Sequence, residues 1–280
     1  MRSLSCHFQW LMKRFFLLLI IISFNSAITM AQDELYPFPF SVPNKSGFLP
    51  SSEAVNSLYK DFNFTASYTN NLFLSQIGLS KIKLVYPSAK INTCTSLSFY
   101  GYSNFWNLKS TIGFSRHFKP YISFGVTAFF VFYRFSLTGK NLFTAGVNAS
   151  LCIFPTKKIC IGVSAENISF SPLKSGDRLY RLPVTFKIGF SLMILNNFSI
   201  SLEGSKELKS PFLICSGIEY TPLKQFALRF GVSYQTNASI LAGFGLRLKS
   251  FFIDFDAFYN LGSGIGCRAA IGFSKFLFKN

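Results

Sequence analysis

The sequence predicts an all-β protein, a transmembrane antiparallel β-barrel of fourteen strands preceded by a short N-terminal segment. Three observations support this prediction: the alternation of residue types, the composition, and an apolar segment near the N-terminus. In residues 211–280, apolar side chains alternate with small or charged ones, for example Leu228 and Phe230 with Ala227 and Arg229. Period-two alternation over about ten residues, interrupted by short polar turns, is typical of the strands of a membrane barrel.

The composition favours the same fold class. Aromatic residues make up 18% of the chain, with 36 Phe and 12 Tyr, whereas charged residues make up only 14%. The mean hydropathy is +0.33, and a soluble domain would be about a quarter charged. Apart from residues 15–22, no apolar run approaches the roughly 20 residues that a spanning helix needs. The apolar excess is therefore spread along strands in which one residue in two faces lipid.

Residues 1–31 are predicted to be a signal peptide, because a basic pair precedes the apolar run and small residues lie before Gln32. Met12 would begin a signal of ordinary length, which makes it a candidate for the true start. The alternative is an uncleaved anchor that holds a soluble domain. A cleaved signal followed by a barrel predicts the outer membrane of a Gram-negative bacterium.

The net charge of the chain is +17 and falls to +14 when residues 1–31 are removed, since that segment holds three of the 28 basic residues and none of the 11 acidic ones. The lysines gather at predicted turns rather than along one helix face, so nucleic acid is not predicted as a partner. We expect these lysines to contact outer-membrane lipid and the phosphates of lipopolysaccharide.

In chain order, residues 32–61 come first, are rich in Pro and Ser and lack alternation, which predicts either a periplasmic tail or a plug in the barrel mouth. The barrel itself is predicted over 62–280. Its fourteen strands are predicted at 62–70, 76–86, 91–101, 108–117, 120–133, 142–153, 158–168, 184–194, 198–207, 211–220, 225–235, 238–248, 251–260 and 266–278. The second strand changes phase, which predicts a β-bulge near Ser80-Lys81.

An even strand number places both ends of a bacterial barrel in the periplasm and so assigns each connection a side. The six predicted periplasmic connections are all short, and four of them contain Pro. The longest gap, Ser169–Pro183, falls on the outside, where long loops belong. The last strand is rich in Phe and resembles the terminal signal that the barrel-assembly machinery reads, which makes that machinery an expected partner.

The sequence predicts no enzyme, no cofactor and no metal site. His117 is the single histidine after residue 31 and lies beside a predicted periplasmic turn, where a solvated structural role is expected. No spacing of a nucleophile with a histidine, and no Cys/His cluster, indicates catalysis or metal binding.

Ten charged residues take the phase of the barrel interior. They are Lys109, Glu166, Lys187, Glu203, Glu219, Arg229, Arg247, Asp254, Asp256 and Arg268. Either they form structural ion pairs across neighbouring strands, such as Glu219 with Arg229 or Arg247 with Asp254, or they face a ligand. An inward position avoids the cost of about 2–4 kcal/mol that a basic residue on the lipid face would carry at the membrane midplane.

Cys152 and Cys160 flank one predicted turn symmetrically and both take the interior phase. An oxidising periplasm permits a disulfide between them, although directly opposed strand positions are geometrically demanding.

Several segments of the second half resemble a known family. They are GIEYTPLKQFALRFG (217–231), AGFGL (242–246), FIDFDAFYNLG (252–262) and RAAIGFSKF (268–276), together with DRLYRLPVTFKIGFS (177–191). They look like the corresponding parts of PorV/PorQ-type proteins, FadL-like outer-membrane barrels of Bacteroidetes, several of which serve the type IX secretion system. The resemblance implies fourteen strands and a Leu-Pro entry into the eighth. Where wider family members carry Asn-Pro-Ala near the N-terminus, this chain has Asn56-Ser57-Leu58.

Three functional hypotheses follow. The first, implied by the resemblance, is a secretion-associated barrel that binds secretion-system proteins or secreted cargo through its loops and mouth. The second is a FadL-like channel for hydrophobic or small solutes, with a plug built from residues 32–61. The third is a structural barrel without transport, which a mixed-charge interior would suit.

Overall fold

The structure is a computed structural model that describes residues 53–59, 61–71, 78–102, 104–118, 120–135, 140–175, 178–208, 210–262 and 264–275. The predicted signal peptide and residues 32–52 lie outside the described residues. Within the described ranges, none of the helices has the length and apolar character to span a membrane.

Fourteen strands form one closed antiparallel barrel, and two short strands form a separate hairpin. The barrel closes where the first strand pairs with the last. The strands are β1 (Phe62–Asn71), β2 (Gly78–Tyr86), β3 (Asn92–Tyr102), β4 (Phe105–Phe118), β5 (Ile122–Phe135), β6 (Lys140–Thr156), β7 (Ile159–Glu166), the hairpin strands β8 (Pro172–Ser175) and β9 (Arg178–Arg181), then β10 (Thr185–Leu195), β11 (Phe198–Glu207), β12 (Leu213–Leu223), β13 (Phe226–Tyr234), β14 (Ala238–Leu248), β15 (Phe251–Asn260) and β16 (Gly264–Lys275). The predicted fold class and the count of fourteen barrel strands are confirmed.

The predicted β-bulge near Ser80-Lys81 is wrong. The register of β2 runs unbroken from Gly78 to Val85 with β1 on one side and with β3 on the other. The change of phase in the sequence has another cause, since the apolar Leu79 faces the interior on the same side as Lys81. The register does shift in β6, β10 and β12, in each case beside the turn that follows the strand.

The two ends of the barrel differ in their connections. At one end, which we call the turn end, the six connections 87–91, 119–121, 157–158, 196–197, 224–225 and 249–250 are two to five residues long. The opposite end, the loop end, carries the connection 167–184, which contains the β8–β9 hairpin. This is the distribution predicted for short periplasmic turns and longer outer loops.

The faces of the strands separate by polarity. Along β15, Phe251, Ile253 and Phe255 are exposed on the outside, whereas Asp254 and Asp256 are buried inside. Buried polar residues from nearly every strand line the interior, and most are Ser, Thr or Asn. An apolar outer face around a polar interior is the arrangement that a bilayer imposes on a β-barrel.

Candidate functional site in the barrel interior

A buried cluster of arginine and carboxylate side chains, which we call the arginine–carboxylate network, lies on the interior face of β12 to β16. It consists of Glu219, Arg229, Asp254, Asp256 and Arg268, each at most 7% exposed. Arg229 is its centre: Nε donates to Glu219 Oε2 at 3.1 Å, and Nη2 donates to Asp254 Oδ1 at 2.6 Å. Arg229 Nη1 lies 3.8 Å from Asp256 Oδ1. Arg268 Nε in turn donates to Asp256 Oδ2 at 2.9 Å, so the network joins the last five strands.

Two glycines on β14 make the network possible. Arg229 on β13 and the aspartates on β15 are two strands apart, and Gly243 lies between Arg229 and Asp256 in the register. A Cβ at Gly243 would overlap the Asp256 carboxylate, and a Cβ at Gly245 would lie 2.5 Å from Asp254 Oδ1 and 2.8 Å from Arg229 Nη2. The absence of a side chain at these two positions therefore leaves the space through which the guanidinium reaches across β14.

Of the two ion pairs predicted across neighbouring strands, one is present and one is not. Glu219 lies directly opposite Arg229 in the register and pairs with it. Arg247 does not pair with Asp254, because Arg247 lies opposite Phe252 and Asp254 receives the guanidinium of Arg229 instead. Arg247 Nη2 is buried without a hydrogen-bond partner among the described residues. Its charge nevertheless balances the network, which otherwise holds three carboxylates against two guanidinium groups.

A second charged region lies on β2 to β4, which β1 separates from β16 in the closed barrel. We call it the lysine wall: Lys81 and Lys83 on β2 and Lys109 on β4, which line one cavity together. Lys83 Nζ lies 5.9 Å from the ring centre of Tyr59, and Lys109 Nζ lies 5.5 Å from that of Phe129. Of the three lysines, the sequence predicted only Lys109 to face inward. The alternation of Lys81 and Lys83 with apolar residues was the available signal, and the supposed bulge obscured it.

Three further predicted interior charges lie on β7, β10 and β11. Glu166 on β7 and Lys187 on β10 form an ion pair, with Glu166 Oε1 2.6 Å from Lys187 Nζ. Glu203 on β11 is half-buried and lies opposite Cys215 in the register. Arg247 and Asp254 are placed inside as their phase predicted. The structure thus brings the network residues together and leaves Glu203 apart from them.

A short 3-10 helix, Glu53–Leu58, lies inside the barrel near the turn end. The N–H of Ala54 donates to Ser150 Oγ at 2.8 Å, and Asn92 Nδ2 donates to the backbone carbonyls of Asn56 and Tyr59, each at 2.9 Å. Burial raises the pKa of the Tyr59 hydroxyl above its ordinary value. Residues 53–59 therefore contact the interior wall near the turn end, a position for which sequence periodicity offered no signal.

The disulfide considered between Cys152 and Cys160 is not formed. Both are buried thiols that pack with Ala54 of the interior helix. In the register Cys152 lies opposite Gly162, and the shift between Ile153 and Thr156 removes the symmetric placement that the sequence suggested.

His117 lies at the turn end, where its Nδ1 is 2.7 Å from Ser123 Oγ. Among the described residues, no group of three or more His, Cys, Asp and Glu could hold a metal ion.

At the loop end, Asn167 fastens the long connection to the barrel. Its backbone has φ 54°, a left-handed conformation that Asn tolerates. Its N–H donates to Asn148 Oδ1 at 2.9 Å, and its Nδ2 donates to the carbonyl of Leu182 at 2.8 Å. The Leu-Pro entry implied by the resemblance thus leads into β10, the eighth strand of the barrel, with Leu182 held by Asn167. Nothing in the sequence singled out Asn167 for this position.

These features define the class of protein: a fourteen-stranded transmembrane-type barrel whose interior holds a short helix and two charged regions. No family model and no curated protein matches the sequence. Among solved structures, the Pseudomonas putida toluene transporter TodX is similar over 80% of this chain and 92% of its own, with TM-score 0.59 and 10% identity. A Pseudomonas aeruginosa FadL homologue is similar over 80% of this chain and 91% of its own, with TM-score 0.56 and 10% identity.

At this identity the likeness establishes the fold. The chain is a β-barrel that resembles FadL-type channels, and this resemblance is consistent with a location in the outer membrane. The likeness covers nearly the whole length of both solved chains, so it concerns the complete barrel rather than a fragment of it.

Proposed function

We propose that this chain is a non-enzymatic outer-membrane barrel that serves type IX protein secretion, in the manner of the PorV/PorQ-type proteins that its sequence resembles. In this role the barrel binds secretion-system proteins or secreted cargo through its loops and its periplasmic mouth. The interior is a scaffold that fixes the shape of the barrel, and traffic of solute through it is not the activity.

One observation carries the proposal: the segments that carry the resemblance converge on the arginine–carboxylate network. Segment 217–231 contributes Glu219 and Arg229, and segment 252–262 contributes both aspartates of the network. Segment 242–246 supplies the two glycines over which Arg229 reaches, and segment 268–276 begins with the arginine bound to Asp256. The four sequence segments therefore meet in one three-dimensional arrangement. Together they support an architecture shared with the PorV/PorQ-type proteins more strongly than any single segment does.

The occupied interior supports the same role. The helix Glu53–Leu58 packs inside against β3 to β6, and the network crosses the interior face of β12 to β16. The buried interior residues are largely Ser, Thr, Asn and charged groups. A channel for an apolar solute would instead require an apolar lining. An apolar solute beside a charged side chain would displace its water without offering a hydrogen bond in return, which costs free energy.

Deletion of the gene in its own bacterium tests the proposal. The surface level of proteins with C-terminal sorting domains is measured by proteolytic shaving and mass spectrometry, in the parent, the deletion strain and the strain complemented with the wild-type gene. We expect those proteins to leave the surface and accumulate in the periplasm on deletion, and to return on complementation. Normal surface levels in the deletion strain would refute the proposal.

Affinity purification supplies an independent test. The chromosomally tagged barrel is recovered from its own outer membrane in mild detergent, and a tagged unrelated barrel of the same membrane is the matched control. Secretion-machinery components or cargo recovered with this barrel and not with the control are the expected result. A barrel that carries no such protein would count against a secretion role.

A channel for a small solute is the second candidate function, and the fold likeness to the toluene transporter TodX favours it. Because the interior is polar, the solute would be small and hydrophilic rather than a hydrocarbon. Reconstitution into planar bilayers separates the candidates: discrete conductance steps that a variant without residues 53–59 enlarges would favour the channel. Silent bilayers with correctly inserted protein would favour the secretion role.

A further inference from the structure

Arg116 is a basic residue on the lipid-facing side of the barrel. On β4 it lies between Phe114 and Phe118, which are 54% and 50% exposed on the outer face. We propose that Arg116 binds the phosphate group of a membrane glycerophospholipid at the turn end of the barrel. The inference goes beyond the proposed secretion role and does not depend on it, because it concerns the contact of the outer wall with the bilayer.

The immediate surroundings of Arg116 are aromatic. Phe124 lies directly opposite on β5 and is exposed on the same face. The guanidinium carbon of Arg116 lies 4.9 Å from the ring centre of Phe118, a distance at which a cation is attracted to the face of a ring. Among the described residues, no carboxylate forms an ion pair with Arg116. A guanidinium held against the outer wall in this way therefore takes its anion from the membrane.

A second outer-facing arginine indicates the height of Arg116 in the bilayer. Arg116 lies opposite Phe124, and Arg134 is exposed on the outer face of β5 ten residues beyond Phe124, near the loop end. Ten residues of strand rise roughly 34 Å, which is roughly 26 Å across the membrane at a strand tilt of about 40°. The apolar band of a membrane barrel is about 25 Å tall. The outer-facing residues of β5 between the two levels are all apolar, namely Val126, Ala128, Phe130 and Phe132.

This height places Arg116 beside the lipid headgroups at the turn end. A guanidinium is a planar fork of N–H donors that binds phosphate oxygens in pairs, and it is less strongly hydrated than an ammonium group. The phenylalanines on both sides of Arg116 face the acyl chains of the same lipid. Free inorganic phosphate would satisfy the guanidinium but would leave these rings without an apolar partner, so the combination favours a phospholipid.

Native mass spectrometry of the purified barrel tests the site. The barrel is purified in octyl glucoside and titrated with dioleoyl phosphatidylglycerol or with a galactosyl dioleoylglycerol, which has the same acyl chains and no phosphate. Inorganic phosphate is titrated separately. The variants are Arg116→Gln, Arg116→Lys, and Lys224→Gln in an exposed turn of the same end as the matched control. Heat-modifiable gel mobility verifies that each variant folds.

We expect Arg116→Gln to bind phosphatidylglycerol about tenfold more weakly than the parent, given the strength of charge-assisted hydrogen bonds. Its affinity for the galactolipid should equal that of the parent. Arg116→Lys keeps the charge but not the paired donors, so its affinity for phosphatidylglycerol should lie between those of the parent and Arg116→Gln. Lys224→Gln should bind both lipids as the parent does.

Four outcomes would overturn the proposal. They are equal affinity of the parent and Arg116→Gln for phosphatidylglycerol, an equal loss for both lipids, an equal loss in Lys224→Gln, and binding of inorganic phosphate as tight as that of the lipid. Because purified protein is used, these outcomes are separate from any outcome of the secretion assays.

Discussion

Replacement of Arg229 by Met should destabilise the barrel severely. The guanidinium of Arg229 bonds to two carboxylates, those of Glu219 and Asp254, and all three side chains are at most 4% exposed. Methionine has a similar length but no charge, so the variant leaves two buried carboxylates without their cation. Removal of one partner of a buried ion pair typically costs about 3–5 kcal/mol, which corresponds to a shift of the unfolding equilibrium on the order of 10²–10⁴-fold.

The measurement is equilibrium unfolding by guanidinium chloride of the barrel folded into lipid vesicles. Trp106 reports unfolding, because the other tryptophan of the chain, Trp10, lies in the predicted signal peptide. Trp106 packs between Phe99 and Phe132, with ring centres 5.8 Å and 5.5 Å away, and it lies on β4, which neighbours none of the strands β12 to β16. Its fluorescence follows global unfolding rather than a local change at the substituted residue.

Two further variants test whether the uncompensated buried charge causes the loss of stability. Arg134→Met applies the same chemical change at an exposed position of β5 and should alter the free energy of unfolding by no more than about 0.5 kcal/mol. Arg229→Met combined with Glu219→Gln and Asp254→Asn should recover much of the lost stability, because no uncompensated charge then remains buried. The reasoning fails if Arg229→Met costs no more than Arg134→Met, or if the triple variant is less stable than Arg229→Met alone.

Three other predictions concern the parts that hold the interior together. Gly243→Ala should cost about 1–3 kcal/mol by overpacking, measured by the same unfolding assay, whereas Ala242→Val on the outer face of the same strand should cost little. Asn167→Gly keeps the backbone conformation and loses the side-chain bonds to the long connection, so protease should cleave that connection faster than in the parent. Asn92→Ala removes both bonds to the interior helix, and a cysteine introduced by Ala54→Cys should then react faster with a maleimide.

The strands could be predicted from the sequence because their signal is local. Successive residues of a barrel strand face lipid and the interior in turn, so the side that one residue faces is known once the side of its neighbour is known. The prediction went wrong where one residue broke the alternation: Leu79 faces inward among lysines, and the supposed bulge concealed Lys81 and Lys83. The pairing register with β1 and β3 determines which face each residue of β2 takes, in spite of such a local irregularity. A slip of one residue would turn every side chain of β2 to the wrong face.

The site was less predictable because it depends on contacts between strands that are not adjacent. The ion pair of Glu219 with Arg229 could be predicted from the sequence, since the two strands are joined by a tight turn. The bond from Arg229 to Asp254 could not be predicted, because it requires the space left by Gly245 on the strand between them. The fastening of the loop by Asn167 and the position of the interior helix involve residues far apart in the chain, for which periodicity carries no information.

The two charged regions of the interior differ in exposure, and this difference predicts where a substitution costs most stability. In the arginine–carboxylate network, all five side chains are at most 7% exposed, and the guanidinium groups bond to carboxylates, so a substitution there should destabilise the barrel strongly. In the lysine wall, Lys81 is exposed to solvent, so its substitution should leave the free energy of unfolding nearly unchanged. A protein in which Lys81→Gln unfolds the barrel while Arg229→Met does not would contradict this reasoning.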